Sequence, residues 1–210
     1  MHLPRLLLVV ASLLALAGCP GRNESLRDAG GAPLPGTAFD APIRFEDDAL
    51  RALSPDALPA TPSPCAPPSL GIVAYVLDGD TVGVQRVADS TEVRVRLIGV
   101  NSPEVSHEAG VPAECYSGES TRFTEQLLGR PVWLTYDADC QDDFGRDLAY
   151  VWVGASAGDE TSSDMWNRQL LRRGLADTLT IRPNDAFAPT FSADQSAAEA
   201  AGAGLWSACM

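Results

Sequence analysis

Three short polar clusters interrupt otherwise apolar patterning in this 210-residue chain. The first is "LDGDTV", in which Asp78 and Asp80 flank Gly79 and precede Thr81. Asp-Gly-Asp between two strands makes a good hairpin turn. Carboxylates two residues apart also suit a hard cation such as Ca²⁺ or Mg²⁺. The second is "RVRLIGVNSPE", with Arg96 inside an alternating run and Asn101, Ser102 and Glu104 past its end. The third is "QDDFGRDLAY", which sets Arg146 after a Phe-Gly turn and just before a strand. Taken singly, these read as a turn, a solvated strand face and a surface salt bridge. Taken together, they supply what phosphodiester hydrolysis requires. Its pentacoordinate transition state gathers negative charge, which two guanidinium forks and a cation neutralise. A nearby carboxylate orients or deprotonates the attacking water.

The elements that must position these groups are short. "GIVAYVL" and "TVGVQRV" read as strands around the Asp78–Asp80 turn, and "TEVRVRLIGV" as a third strand with period-two alternation. "SGESTRFTEQLLG" reads as a helix capped by Ser117 or Ser120 and ended by Gly129. "PVWLTYDAD" and "LAYVWVG" are two further strands. "SSDMWNRQLLRRGLA" is a second helix, with Asp164 near its start and Gly174 after it. The Ala-rich "FSADQSAAEAAGAGLW" is a third. The expected fold class is α+β: a five-stranded barrel of the OB type with three helices.

Residues 1–18 read as a lipoprotein signal peptide, too short in its apolar run for a membrane span. Its Leu16-Ala17-Gly18-Cys19 ending resembles the lipobox of bacterial lipoproteins, which makes Cys19 the expected lipidation site. The expected location is therefore a bacterial cell-envelope membrane, anchored by acyl chains and facing the periplasm or exterior. Residues 19–64, dense in Pro, Ala, Gly and Asp, read as a disordered tether, with only a transient helix in "FEDDALRALSPDAL". The domain proper is expected over 65–210. An even number of further cysteines in an exported chain reads as disulfides; three connectivities are open, and Cys65–Cys209 with Cys115–Cys140 is the favoured one. No CxxC or HxxxH spacing supports a zinc site. The formal charge is −13, with no Lys; from residue 65 onward 21 acidic residues face 10 Arg. That balance argues against a broad basic face for nucleic acid.

"VLDGDTV", "VRLIGVNSPE", "DDFGRDLAYV", "NRQLLRRGLA" and a closing "GLW" stand in the order and rough spacing of the thermonuclease family, the staphylococcal-nuclease-like domains, which Gly71–Trp206 resembles. The resemblance implies an OB barrel with three helices. It also implies a calcium-dependent endonuclease acting on DNA and/or RNA, other divalent cations being possible, and it places the catalytic arginines on Arg96 and Arg146. It puts the general base on Glu104 and metal ligands on Asp80, Asn101 and Ser102, supported by Asp78 and Thr81. The chain departs from the family pattern at Asn101, where an aspartate is usual; one negative charge is lost from the site. The nucleotide-holding tyrosines are also missing from "RGLADTLTIRPN", and Asp143 replaces a lysine. Phe144, Tyr116 and His107 are secondary candidates for substrate contact. The expected partners are nucleic acid and a membrane, with the chain a monomer. Two other readings compete: a catalytically inactive OB module for binding, and a disulfide-braced envelope spacer.

Overall fold

A computed structural model describes Ile43 and residues 45–106, 110–154 and 165–209. The signal segment, Cys19, His107 and Asp164 lie outside the described residues. Strands β1 (Ser69–Val76), β2 (Thr81–Arg86) and β3 (Glu92–Leu97) form an antiparallel meander, as their alternating apolar residues require. The β1–β2 register shifts between Val73 and Tyr75, which bends β1. Strand β4 (Gly99–Asn101) follows, then β5 (Pro131–Thr135) and β6 (Asp147–Trp152). β6 lies parallel to β3, with Arg96 opposite Leu148, and antiparallel to β5, which returns to β1. The order β1-β2-β3-β6-β5 thereby closes on itself. Val73, Val82, Val84, Val95, Leu97, Leu134, Ala149 and Val151 fill the interior, all essentially inaccessible. Each buried Val or Leu contributes about 1.5–3 kcal/mol.

The expected single strand over 91–100 is two. It breaks at Ile98 because Gly99 adopts φ +78°, and a Cβ there would lie 2.4 Å from the Phe191 ring. The chain swings off the barrel, and β4 pairs instead with β7 (Asp177–Leu179), Asn101 opposite Asp177. This second small sheet fixes where Asn101, Ser102 and Glu104 emerge. Neither the break nor β7 is apparent from alternation.

The described residues hold five α-helices, not three: α1 (Asp47–Ala52), α2 (Ser117–Thr124), α3 (Trp166–Arg172), α4 (Ala188–Ala201) and α5 (Leu205–Ala208). Neither Ser117 nor Ser120 caps α2. Tyr116 occupies that position at φ +71°, and both serines are buried. α2 runs into one 3₁₀ turn before Gly129, and Phe123 stacks on Trp166 of α3 at 4.6 Å. The final helix divides at Gly202 and Gly204, both at positive φ, into α4 and α5.

Two expectations are corrected. The segment read as tether does not run free to residue 64. Leu50 of α1 is fully buried, its carbonyl accepts from Trp133 Nε1 at 2.9 Å, and Thr61 Oγ1 donates to the Tyr136 carbonyl at 2.8 Å. The Arg130 guanidinium sits 4.0 Å from the centre of the Phe45 ring and 3.2 Å from Asp47. The disulfides are Cys65–Cys140 and Cys115–Cys209, not the expected Cys65–Cys209 and Cys115–Cys140. The reason is local: Cys65 N–H donates to the Asp137 carbonyl at 2.7 Å, so residue 65 runs beside the chain that reaches Cys140. Cys209, directly after α5, is bonded to Cys115 in the segment before α2. Among the described residues no helix is long and apolar enough to cross a membrane.

Candidate active site

The β1–β2 turn is closed by Leu77 N–H donating to the Thr81 carbonyl at 3.0 Å, and Asp80 N–H donates to Asp78 Oδ1 at 3.0 Å. Gly79 is needed for space: a Cβ there would lie 1.9 Å from Ser120 Oγ and 2.7 Å from Ser102 Cβ. This contact seats the turn against α2 and against the segment after β4.

Asp80, 3% exposed, is the hub. Its Oδ2 accepts from Ser102 N–H at 2.6 Å, and its Oδ1 accepts from Thr81 Oγ1 at 3.0 Å and from Arg96 Nε at 3.1 Å. The register explains the meeting, since Thr81 lies directly opposite Arg96. Arg96 Nη1 donates to the carbonyls of Leu97 and Val100 at 2.8 and 2.7 Å, and Nη2 to Asn101 Oδ1 at 3.3 Å. The guanidinium is thus held rigidly by its own strand and the bend after it. Burial, and then the charge of Asp80, push the Asp78 carboxyl up to about 6. That shift marks a crowded negative pair which a cation would relieve. Asp78, Asp80 and the Asn101 amide offer only oxygen donors, the chemistry a hard divalent cation takes. Among the described residues no group of three His, Cys, Asp or Glu side chains is placed to hold a metal ion, so the Asp78–Asp80 pair would need the Asn101 amide and backbone or water oxygens to complete a cation's shell.

Arg146 comes from a tight turn. Asp142 Oδ1 accepts the Phe144 and Arg146 N–H groups, each at 3.0 Å, and Gly145 takes φ +73°. Asp142 Oδ2 then accepts from Arg146 Nε at 2.6 Å. Burial opposes the charge on Asp142, but these hydrogen bonds outweigh it and hold the carboxyl below its ordinary range. The neighbouring Asp147, buried, binds Arg86 and accepts from Gln141 Nε2 at 3.1 Å, which anchors the start of β6.

Arg96, on β3, and Arg146, one residue before β6, come together where β6 begins to pair with β3. Both line one groove of about 350 Å³, whose further wall includes Phe144, Leu179, Ile181 and Arg182. Phe144 is 81% exposed, and the Arg146 guanidinium lies 5.4 Å from its ring centre. The structure gathers Asp78, Asp80, Thr81, Arg96, Asn101 and Ser102 into one cluster, of which Arg96 alone lines the groove, together with Arg146. Glu104 is exposed two residues beyond Ser102 and does not line the groove. Its backbone is held by Glu114: Glu104 N–H donates to Glu114 Oε2 at 2.9 Å, and Glu114 N–H to the Glu104 carbonyl at 3.0 Å. Tyr116 lies at the start of α2 and is not part of the groove.

Sequence reasoning passed over Asp142, Leu179, Ile181, Arg182 and Glu114. The spacing of Asp142 four residues before Arg146, across Phe-Gly, signals a turn that clasps its own arginine. The others gain meaning only through β4–β7 pairing and the disulfide.

The family model for staphylococcal nuclease homologues matches residues 94–208. Two relatives named thermonuclease, from Staphylococcus intermedius and Staphylococcus hyicus, are each 34% identical over 136 residues, covering 64% of this chain and 74% of theirs. Endonuclease YncB of Bacillus subtilis (strain 168) is 28% identical over 137 residues, covering 62% of this chain and 58% of its own. By the extent of these matches, the chain belongs to the staphylococcal nuclease homologue family.

Proposed function

We propose that this protein is an endonuclease that hydrolyses phosphodiester bonds of DNA and/or RNA in the groove between Arg96 and Arg146. The observation that supports this reading is that Arg96, on β3, and Arg146, in the turn that leads into β6, line one groove, with Asp80 paired to Arg96 and Asp78 hydrogen-bonded to Asp80. Arg96 and Arg146 bind the non-bridging oxygens of the scissile phosphate, and their hold tightens as charge develops in the transition state. Arg96 is fixed in direction by the Leu97 and Val100 carbonyls, so little reorganisation accompanies the reaction. Glu104, assigned by the family pattern and exposed two residues past Ser102, is the group proposed to take a proton from the attacking water once substrate lies beside the cluster. Asp78, Asp80 and Asn101, with Ser102, would hold a divalent cation, Ca²⁺ first among candidates, which when bound supplies positive charge beside the phosphate. With an amide at Asn101 where an acid is usual, the site carries one negative charge fewer, and weaker Ca²⁺ affinity and wider metal tolerance follow.

We further propose that the chain is exported and lipid-anchored at Cys19. Its apolar leader supports this, and the two disulfides suit an oxidising compartment.

Plasmid digestion with Ca²⁺ and with EDTA tests the enzymatic reading. Cleavage that EDTA stops, and that falls at least about a hundredfold in Glu104→Ala and Arg146→Ala, is the expected result. No cleavage by the wild-type protein across several divalent metals, with nucleic-acid binding intact, would favour an inactive binding module.

A further inference from the structure

We propose that Glu114 and the Cys115–Cys209 disulfide are positioning elements for Glu104, together forming a covalent strut that ties the segment after β4 to the frame of α3 and α5. The inference rests on the role assigned to Glu104 above.

Glu104 is exposed, so burial does not fix it. What holds its backbone is the reciprocal pair with Glu114, at 2.9 and 3.0 Å. The same Glu114 offers its carbonyl to Ser117 N–H at 3.1 Å, at the start of α2. The next residue, Cys115, is bonded to Cys209, 94 positions away. Cys209 is itself well anchored. Its N–H donates to the Leu205 carbonyl at 3.0 Å, and Leu205 N–H donates to the Gly174 carbonyl at 2.8 Å. Gly174 and Gly204 meet so closely that a Cβ on either would lie within about 2.2 Å of backbone oxygen. α3, which Gly174 follows, sends Asn167 Nδ2 to the Ile98 carbonyl at 2.8 Å, while Asn167 Oδ1 accepts from Val151 N–H at 3.0 Å. Ile98 stands two residues after Arg96. The linkage therefore runs from Glu104 through Glu114, the disulfide, α5 and α3 to the bend that carries Arg96. It ties the backbone that carries Glu104 and the bend that carries Arg96 to one frame. Exposed loop backbone with few buried contacts otherwise opens easily, and a displacement of about 1 Å is enough to lower turnover up to a hundredfold.

The test is steady-state cleavage of one defined oligonucleotide, at a temperature where every variant is folded. The variants are Glu104→Ala, Glu114→Ala, Glu114→Gln and the pair Cys115→Ser/Cys209→Ser. The last three are also made in the Glu104→Ala background. In the otherwise wild-type chain, Glu114→Ala and the cysteine pair should each lower kcat about tenfold with KM changed less than about twofold. Glu114→Gln keeps an acceptor and should retain at least about half of kcat. In the Glu104→Ala background none should change kcat more than about twofold, because the positioned group is gone. Equal losses in both backgrounds, or no loss in the first, would overturn the strut. Glu114→Ala leaves both disulfides in place and decides the matter if the cysteine pair does not fold. A Glu104→Ala enzyme with wild-type kcat would instead remove the role of Glu104 itself.

Discussion

Placing a methyl group on Gly79 should both loosen the fold and damage the site. The turn at Gly79 needs no left-handed φ, so Gly79→Ala tests space alone. Its Cβ would stand 1.9 Å from Ser120 Oγ, 2.7 Å from Ser102 Cβ and 2.9 Å from Ser102 Oγ. Both serines are buried, at 0% and 1% exposure, so neither has room to swing away. Overpacking of this kind costs about 1–3 kcal/mol. For a domain of this size that lowers Tm by roughly 3–10 °C. Relief by moving Ser102 would also lengthen its 2.6 Å hydrogen bond to Asp80, the hub of the cluster, so kcat should fall at least about tenfold. Ser120 Oγ has no hydrogen-bond partner among the described residues, so Ser120→Ala should cost less than about 0.5 kcal/mol. In the double variant the worst clash is gone, and about 1 kcal/mol of the Gly79→Ala loss should return. Urea unfolding of the four proteins in EDTA measures the cycle. Wild-type stability and activity in Gly79→Ala would refute the packing argument. Strict additivity in the double variant would show that Ser120 Oγ is not the group being struck.

Other expectations concern charge. The carboxyl of Asp78 is pushed up to about 6, above its ordinary 3.8, so the folded state binds its proton more tightly than the unfolded chain. The associated stability is present below about pH 4 and lost as pH rises through 6. In chelator above pH 6, Asp78→Asn should therefore be the more stable protein, by on the order of 2 kcal/mol after allowance for partial exposure. Added Ca²⁺ should narrow or reverse that order, and pH-dependent melts with and without EDTA check both signs. Asp147→Ala strips the partner from Arg86, whose Nε is already buried without one, and should cost about 2–4 kcal/mol by urea unfolding. With Arg96, Arg146 and Arg182 the cations at the groove in a chain of net charge −13, nucleic-acid affinity should fall no more than about fiftyfold between 50 and 200 mM salt. A decline of several decades would show a wider basic surface at work.

The barrel was legible because its strands are short apolar or alternating runs separated by polar turns, Asp78-Gly79-Asp80 and Phe144-Gly145 among them. Asp80, Arg96 and Arg146 stand out as charged residues in or beside apolar runs, and their roles were expected from the family resemblance; the structure shows Asp80 paired with Arg96 and Arg146 lining the same groove as Arg96. What alternation does not encode is where a strand leaves the sheet. Gly99 looks like one more small residue in "RLIGV", yet its φ and its contact with Phe191, far along the chain, split the strand and create the β4–β7 pair. The disulfides were misassigned for a similar reason, since Cys65 and Cys140 meet through a hydrogen bond between irregular segments. The proline density around α1 masks the apolar anchors of this segment, chiefly Leu50, whose carbonyl accepts from Trp133 on β5, and Leu58. Each miss involves long-range contacts made by individual residues, which leave no periodic trace.

A double-mutant cycle in kcat/KM over Arg96→Ala and Arg146→Ala, on a defined oligonucleotide with saturating Ca²⁺, tests most directly whether both arginines serve one phosphate. Each single change should lower kcat/KM by at least about a hundredfold, and the double variant should fall much less than their product, as groups acting as a unit do. Full additivity, or an unimpaired single variant, would contradict a shared phosphate in the groove.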